Sequence, residues 1–188
     1  YKSDFLLFLI FIIGSILLTS GLLLSVKFVP VSLAILVFYT YPIIVLFASI
    51  FINKEKIRFS IKIVFIIVFI GLIFVLGPSL ENLNIIGIFF AFIASIGAST
   101  MILTNQKMSD KNIKAIHINA FTNYFNLIFF LILLYFFFEI NLNINLKTWL
   151  IIFIPSLCYA IAFFLQLLAI PRIGQSMTAL LLYTEPIV

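Results

Sequence analysis

Long runs of apolar residues recur along this chain and are separated by short polar stretches. A bilayer core of about 30 Å is crossed by ~20 apolar residues in an α-helix, and most of these runs have that length. Membrane-spanning β-strands would alternate polar and apolar side chains, whereas Leu127–Phe138 does not. The pattern predicts an all-α polytopic membrane protein with seven visible segments. They lie at about 5–26, 31–52, 62–78, 85–105, 116–138, 148–170 and 174–188.

One stretch of the sequence occurs twice. Ser32–Ile43 and Ser176–Ile187 share Ser, Tyr, Thr, Pro and Ile at matching positions, 144 residues apart. Both copies lie in apolar segments, which indicates an internally duplicated membrane protein. Five predicted membrane crossings separate the second copy from the first. Because this number is odd, the two copies cross the membrane in opposite directions. The chain is therefore predicted to hold two inverted halves, residues 1–82 and 83–188, which are parts of two five-helix repeats in a longer, ten-helix protein.

Composition and charge placement narrow the class of protein further. Hydrophobic residues make up 65% of the chain, charged residues 9%, and the mean hydropathy is +1.35, far above soluble domains. The net charge of +5 comes from Lys and Arg residues that cluster in the short loops between apolar segments. This placement argues against a nucleic-acid-binding surface. If these loops share one side with Lys2, nine Lys and Arg residues lie there against two opposite. The positive-inside rule then places the loops at 53–61, 106–115 and 171–173 in the cytoplasm.

Glu185 is the most informative polar residue, because it replaces Tyr41 of the first copy. It lies about eleven residues, or ~16 Å of helix, past Gly174, near the predicted midplane. A carboxylate there costs about 2.5–3.5 kcal/mol, so it is expected to face a cavity or a partner group. Two interpretations remain open: contact with a ligand or proton, and a hydrogen bond that only fixes helix packing.

Other candidate residues surround this motif. Pro42 and Pro186 are predicted to kink both copies, which either exposes carbonyl groups to a substrate or only shapes packing. Tyr159 and Gln166 are seven residues apart on one predicted helix and therefore share a face, directed toward the interior that contains Glu185. The predicted substrate-binding or coupling residues are those of the repeated motif together with this pair. They are Glu185, Tyr183, Tyr39, Thr40, Tyr159 and Gln166.

One stripe of asparagines and one stripe of small residues follow helical spacing, and metal-ligating residues are scarce. Asn119, Asn123 and Asn126 follow helical spacing and are interpreted as hydrogen-bonding contacts between helices. Gly87–Ser99 carries a small residue at every fourth position and predicts a packing surface. One cysteine and one histidine exclude a disulfide framework and leave no credible ligand set for zinc or an iron–sulfur cluster. No metal site and no cofactor are predicted.

The sequence resembles the EamA-type transporters of the drug/metabolite transporter superfamily. The resemblance is carried by Val29–Pro30 through Pro42 to Asn53–Lys56, and by Ala169–Gly174 leading to Glu185–Pro186. It implies ten helices in two inverted five-helix repeats, of which this chain supplies about helices three to nine. Tyr41 departs from the family pattern, in which a small residue is expected before the first proline.

The favoured function is a secondary transporter that exports small metabolites, such as amino acids or related compounds. It would work by alternating access about a central midplane cavity, in the cytoplasmic membrane, as a monomer or homodimer. Its expected partners are the lipid bilayer, the small-molecule substrate and protons as a candidate coupling ion, with no nucleic acid. The alternative is a membrane-embedded enzyme acting on lipid-linked substrates. Such enzymes need clustered acidic or histidine residues at the membrane face, and here Glu81, Glu139 and Asp110 are isolated.

Overall fold

The chain folds into α-helices throughout the part that the computed structural model describes, residues 2–52, 58–77, 83–137 and 145–187. No strand occurs within these ranges, which confirms the predicted all-α class. The helices are α1 (Lys2–Ser25), α2 (Val31–Phe38), α3 (Tyr41–Ile52), α4 (Phe59–Leu76), α5 (Ile85–Asp110), α6 (Ala115–Phe137), α7 (Leu146–Ile173) and α8 (Gln175–Leu181), followed by a 3₁₀ helix (Leu182–Ile187).

Six helical segments of the described chain are long and apolar enough to cross a membrane, with α2 and α3 together forming the second. The chain is therefore a multi-pass membrane protein. The seventh predicted segment, 174–188, is shorter as an α-helix than expected, because α8 ends at Leu181 and the backbone continues as a 3₁₀ helix.

Several helices extend beyond the predicted spans. α5 continues through its polar last turns to Asp110, and α7 includes Pro171 and ends at Ile173, so much of the predicted 106–115 and 171–173 loops is helical. Hydropathy marks the stretch that fits hydrocarbon, whereas backbone hydrogen bonding continues into polar sequence. The connection from α7 to α8 is Gly174 alone, whose φ of 86° favours glycine.

Helices α1 and α5 form the scaffold and approach each other through glycine. A Cβ added to Gly97 would lie 2.5 Å from the Gly14 carbonyl oxygen and 2.6 Å from the Leu18 backbone nitrogen. A Cβ on Gly21 would lie 2.8 Å from the Phe90 carbonyl oxygen. Close backbone approach at small residues is a common way in which helices associate in lipid, where burial of apolar surface contributes little.

We expect Gly97→Val to destabilise the protein by about 1–3 kcal/mol or more, because the added atoms meet backbone that cannot rotate away. Gly71→Val is the matched control, since a Cβ on Gly71 meets no atom within 4 Å. The thermal unfolding midpoint of each purified variant in detergent tests the expectation. Equal midpoints for the two variants would contradict this packing.

The stripe of small residues within Gly87–Ser99 receives α2 and α3, as expected of a packing surface. Ala91 and Ser95 are fully buried. The Ser95 and Thr40 hydroxyls are 2.8 Å apart and hydrogen-bonded, and the Ser99 hydroxyl donates to the Tyr41 carbonyl at 3.2 Å. These bonds hold the junction between α2 and α3 against α5 and satisfy polar groups where the helix is interrupted.

The asparagine stripe of α6 makes hydrogen bonds both within its helix and to a neighbouring one. The Asn123 side-chain amide donates to the Asn119 oxygen at 2.9 Å, and the Asn126 amide donates to the Ser15 hydroxyl of α1. The second bond links α6 to the α1–α5 scaffold, in keeping with a packing role.

Candidate functional site

Both copies of the repeated motif interrupt an α-helix, at positions that agree within one residue. In the first copy α2 ends at Phe38 and α3 begins at Tyr41, with a turn at Tyr39 and Thr40. In the second copy α8 ends at Leu181 and a 3₁₀ helix begins at Leu182. Proline lacks the N–H that an α-helix would bond to the carbonyl four residues earlier, so Pro42 and Pro186 favour such interruptions.

The two interrupted segments pack against each other in antiparallel directions. Near the middle of the first segment, the Tyr39 hydroxyl donates to Glu185 Oε2 at 2.9 Å. Ten residues later, the Ser49 hydroxyl lies 3.0 Å from that of Ser176, nine residues before Glu185. Along the first segment, from Tyr39 to Ser49, the contacted residue moves backward along the second segment, from Glu185 to Ser176. The two segments therefore run in opposite directions.

An aromatic cluster fills the space between the interruptions. The Tyr39 ring stacks on Tyr183 with 6.1 Å between centroids and contacts Tyr41 at 5.7 Å. On its other side, the Tyr183 ring packs edge-on against Phe65 of α4 at 6.1 Å. Tyr183 is fully buried, and its hydroxyl has no hydrogen-bond partner among the residues that the structure describes. This cluster packs the two copies of the motif against each other.

A cavity of about 330 Å³ opens beside this cluster, between α1, α5, α7 and both interrupted segments. Its polar lining comes from five side chains on four elements: Thr19, Tyr41, Tyr159, Gln166 and Glu185. The remaining lining is apolar: Phe11, Leu18, Leu22, Leu23, Phe38, Ala98, Met101, Ile102, Phe163, Leu167, Ile170 and Leu182. A mostly apolar concavity with a few converging polar groups is typical of small-molecule sites.

Glu185 lines this cavity, and the Tyr39 hydroxyl holds its carboxylate by a hydrogen bond. The Glu185 side chain is exposed rather than packed into the core. The Tyr39 bond occupies Oε2, and a carboxylate has about four acceptor positions in all. From the cavity side, the Glu185 carboxylate can therefore accept hydrogen bonds from an ammonium or hydroxyl group, or bind a proton.

The structure separates the predicted site residues into two groups. Glu185, Tyr159 and Gln166 line the cavity, as the shared helix face indicated for the latter pair, and Tyr39 reaches it through its bond to Glu185. Thr40 and Tyr183 are not among the lining residues. The Thr40 hydroxyl bonds to the Val37 carbonyl and to Ser95, and Tyr183 belongs to the core.

Two lining residues were missed in the sequence. Tyr41 lines the cavity, and its alignment with Glu185 in the repeat is the signal that could have identified it. Thr19 of α1 carries no comparable signal, because a single threonine in an apolar helix usually bonds within its own helix. Within the described ranges, no group of three or more His, Cys, Asp or Glu residues could hold a metal ion.

Comparison with protein families matches residues 85–188, just over half of the chain, to the EamA-like transporter family. The chain belongs to the EamA-like transporter family. The match begins at the first residue of α5 and contains Tyr159, Gln166 and Glu185, whereas Tyr39 and Tyr41 lie outside it. No curated protein and no solved structure matches the chain.

Membership in the EamA-like family confirms the resemblance found in the sequence and makes the protein a membrane transporter of small molecules. Its partners are accordingly the lipid bilayer and a small-molecule substrate. The alternative of a membrane-embedded enzyme is not favoured, because this is a transporter family. The cavity that Glu185 lines is the candidate site at which the EamA-like chain would hold its substrate.

Proposed function

We propose that the protein is a secondary transporter that exports small metabolites, such as amino acids or related compounds, by alternating access about this cavity. The observation that carries the proposal is the Glu185 carboxylate in the cavity wall, bonded at 2.9 Å to Tyr39 of the other interrupted segment. A carboxylate in a membrane interior is costly, and such residues usually mark a substrate or proton pathway. Here it joins the two copies of the motif at the cavity.

The halves proposed to move against each other are residues 1–82 and 83–188. In a pair related by a two-fold axis, a residue touches its own counterpart only close to the axis. Tyr39 and Tyr183 are counterparts in the repeat, and their rings stack at 6.1 Å. The antiparallel packing of the two segments also supports inverted halves, with the axis passing between these tyrosines.

In alternating access by inverted halves, the two halves exchange their conformations when the protein passes from one access state to the other. The counterpart of the bond from Tyr39 to Glu185 is a bond between Tyr183 and Tyr41. In this structure the first bond is made, and the Tyr183 hydroxyl has no partner within the described chain. The opposite-facing state would break the first bond and form the second, so each state satisfies one of the two tyrosines. Release of Glu185 from Tyr39 would then accompany the change of access.

The mechanism gives Glu185 one of two roles: direct contact with a polar substrate group, or carriage of the coupling proton. Uptake into proteoliposomes, screened with radiolabelled amino acids and related metabolites that include amines and carboxylates, tests the proposed function. Each compound is measured with and without an imposed proton gradient, and empty liposomes are the control. Uptake of a panel member above the control is the expected result, and its response to the gradient separates the two roles. A reconstituted protein that transports no member would contradict the function proposed.

The orientation proposed places the connections at 53–61, 106–115 and 171–173 on the cytoplasmic side of the inner membrane. Lys111 Nζ lies 2.8 Å from Asp4 Oδ1, which supports a shared side for the start of α1 and the end of α5. The Ser49–Ser176 bond likewise supports a shared side for the end of α3 and the start of α8.

Single cysteines test this orientation in a background in which the exposed Cys158 is replaced by alanine. We expect Ser60→Cys and Asn112→Cys to react with an impermeant thiol reagent only after the cells are opened, because both lie beside the lysine-rich connections. Lys147→Cys, at the start of α7, should react in intact cells. Labelling of Ser60→Cys from outside would reverse the orientation.

A further inference from the structure

The charge of the cavity lining restricts the ligand. Glu185 is the one carboxyl side chain among the lining residues, which include no Lys, Arg or His within the described chain. A carboxylate on the ligand would find no cation there and would be repelled by Glu185. Burial of an unpaired charge is expensive, so an anion or a zwitterion is disfavoured against a ligand with a single positive charge.

The aromatic lining favours the same ligand charge. Five of the lining residues are aromatic: Phe11, Phe38, Tyr41, Tyr159 and Phe163. Tyr159 and Phe163 stand nearly parallel, 6.3 Å between centroids and 11° between planes, and Phe38 lies 5.0 Å from Tyr41. Ring faces attract cations and offer flat apolar contact, so an ammonium group and a hydrocarbon body both find partners.

The size and polarity of the cavity limit the rest of the ligand. Twelve of the seventeen lining residues are apolar, and a volume of about 330 Å³ lies at the small end of ligand sites. A strongly hydrated ligand would lose its water without replacement, whereas an apolar body matches the wall. Gln166 and Tyr159 leave room for one or two further hydrogen bonds.

We propose that this site selects small monocationic amines with an apolar body, in preference to zwitterionic amino acids of the same size. The amine would donate to the Glu185 carboxylate beside the Tyr39 hydroxyl, and its body would lie against the apolar and aromatic wall. The inference rests on the proposed function, since it names the substrate class of the same cavity.

Four ligands with a common phenyl group test the selection: 2-phenylethylammonium, phenylalanine, 3-phenylpropanoate and 2-phenylethanol. Their affinities are measured by calorimetry on the purified full chain in lipid nanodiscs. We expect the ammonium ion to bind about ten- to a hundredfold more tightly than phenylalanine, the range that a charged hydrogen bond supplies. The carboxylate should bind most weakly.

Glu185→Gln isolates the contribution of the charge. It should reduce the advantage of the ammonium ion over neutral 2-phenylethanol to less than about threefold, while binding of the alcohol reports an intact cavity. Asp110→Asn is the matched control, because it removes one acidic charge at the end of α5, away from the lining residues, and should preserve the advantage. If Glu185→Gln does not fold, the ranking of the four ligands by the parent protein still decides.

Three results would overturn the inference: phenylalanine binding as tightly as the ammonium ion, an ammonium advantage that persists in Glu185→Gln, or no binding of any of the four. Uptake of the same ligands separates this inference from the proposed function. Transport of phenylalanine but not of the amine would refute the ligand class and leave the transporter. Amine binding without uptake would refute transport by this chain and leave the ligand class.

Discussion

Glu185→Gln is expected to lower the initial rate of substrate transport at least about tenfold, with the protein still present in the membrane in normal amounts. Glutamine keeps the shape of the side chain and an oxygen that can accept from Tyr39, but it cannot ionise. The loss of a charge-assisted hydrogen bond to a substrate accounts for an effect of this size. Initial uptake rates in proteoliposomes, normalised to reconstituted protein, measure it.

Glu185→Ala and Asp110→Asn complete this comparison. If the charge is required, the alanine variant should lose transport as well, whereas Asp110→Asn, outside the cavity lining, should keep the parental rate. Full activity of Glu185→Gln with loss in Glu185→Ala would reduce the residue to a hydrogen bond that fixes packing. A proton role also requires transport by the parent to depend on pH and the glutamine variant to lose that dependence. An active Glu185→Ala with an unchanged pH response would end both roles.

The second large effect concerns Tyr39 and Tyr183, counterparts in the repeat, of which only Tyr39 has a hydrogen-bond partner for its hydroxyl group within the described chain. Tyr39→Phe removes the bond to Glu185 and should destabilise this state by about 1.5–3 kcal/mol. Tyr183→Phe removes a buried hydroxyl that has no partner in the described chain, so it should leave the unfolding midpoint equal or slightly raised. Both variants should nevertheless slow transport at least about fivefold, because each deletes the bond that one of the two access states needs.

Measured together, unfolding and transport distinguish an exchange of hydrogen bonds from a static packing role. In a static role only Tyr39→Phe slows transport, because the Tyr183 hydroxyl makes no bond in this structure to lose. Parental transport by Tyr183→Phe would therefore refute the exchange. Slow transport by a Tyr183→Phe protein of undiminished stability would support it.

The spans were predictable because every helix that crosses the lipid needs a sufficient length of apolar residues. That length can be read directly from the sequence. The helix ends were less predictable, since α5 continues through Gln106–Asp110 on backbone hydrogen bonds that hydropathy does not measure. That Glu185 faces a cavity could be predicted for a similar reason. A single carboxylate in an apolar helix is conspicuous, and the free-energy cost of placing it in a membrane interior points to a cavity.

The places of Thr40 and Tyr183 outside the cavity lining could not be predicted, because they depend on where neighbouring helices lie. Thr40 bonds to Ser95 of α5, and Tyr183 packs on Phe65 of α4. These partners hold both side chains outside the cavity lining. Tyr41 enters the lining because α3 begins at that residue and presents it toward α1 and α7. Such contacts join residues distant in the sequence, and no local pattern records them.

Covalent modification of the Glu185 carboxyl group tests whether this residue faces the cavity in which substrate binds. Dicyclohexylcarbodiimide is hydrophobic and reacts with carboxyl groups inside membranes. Mass spectrometry can locate the adduct with and without a saturating concentration of a transported compound. We expect an adduct on Glu185 whose rate of formation falls several-fold in the presence of that compound, with an unchanged rate at Asp110. Equal modification of Glu185 with and without saturating substrate would contradict it.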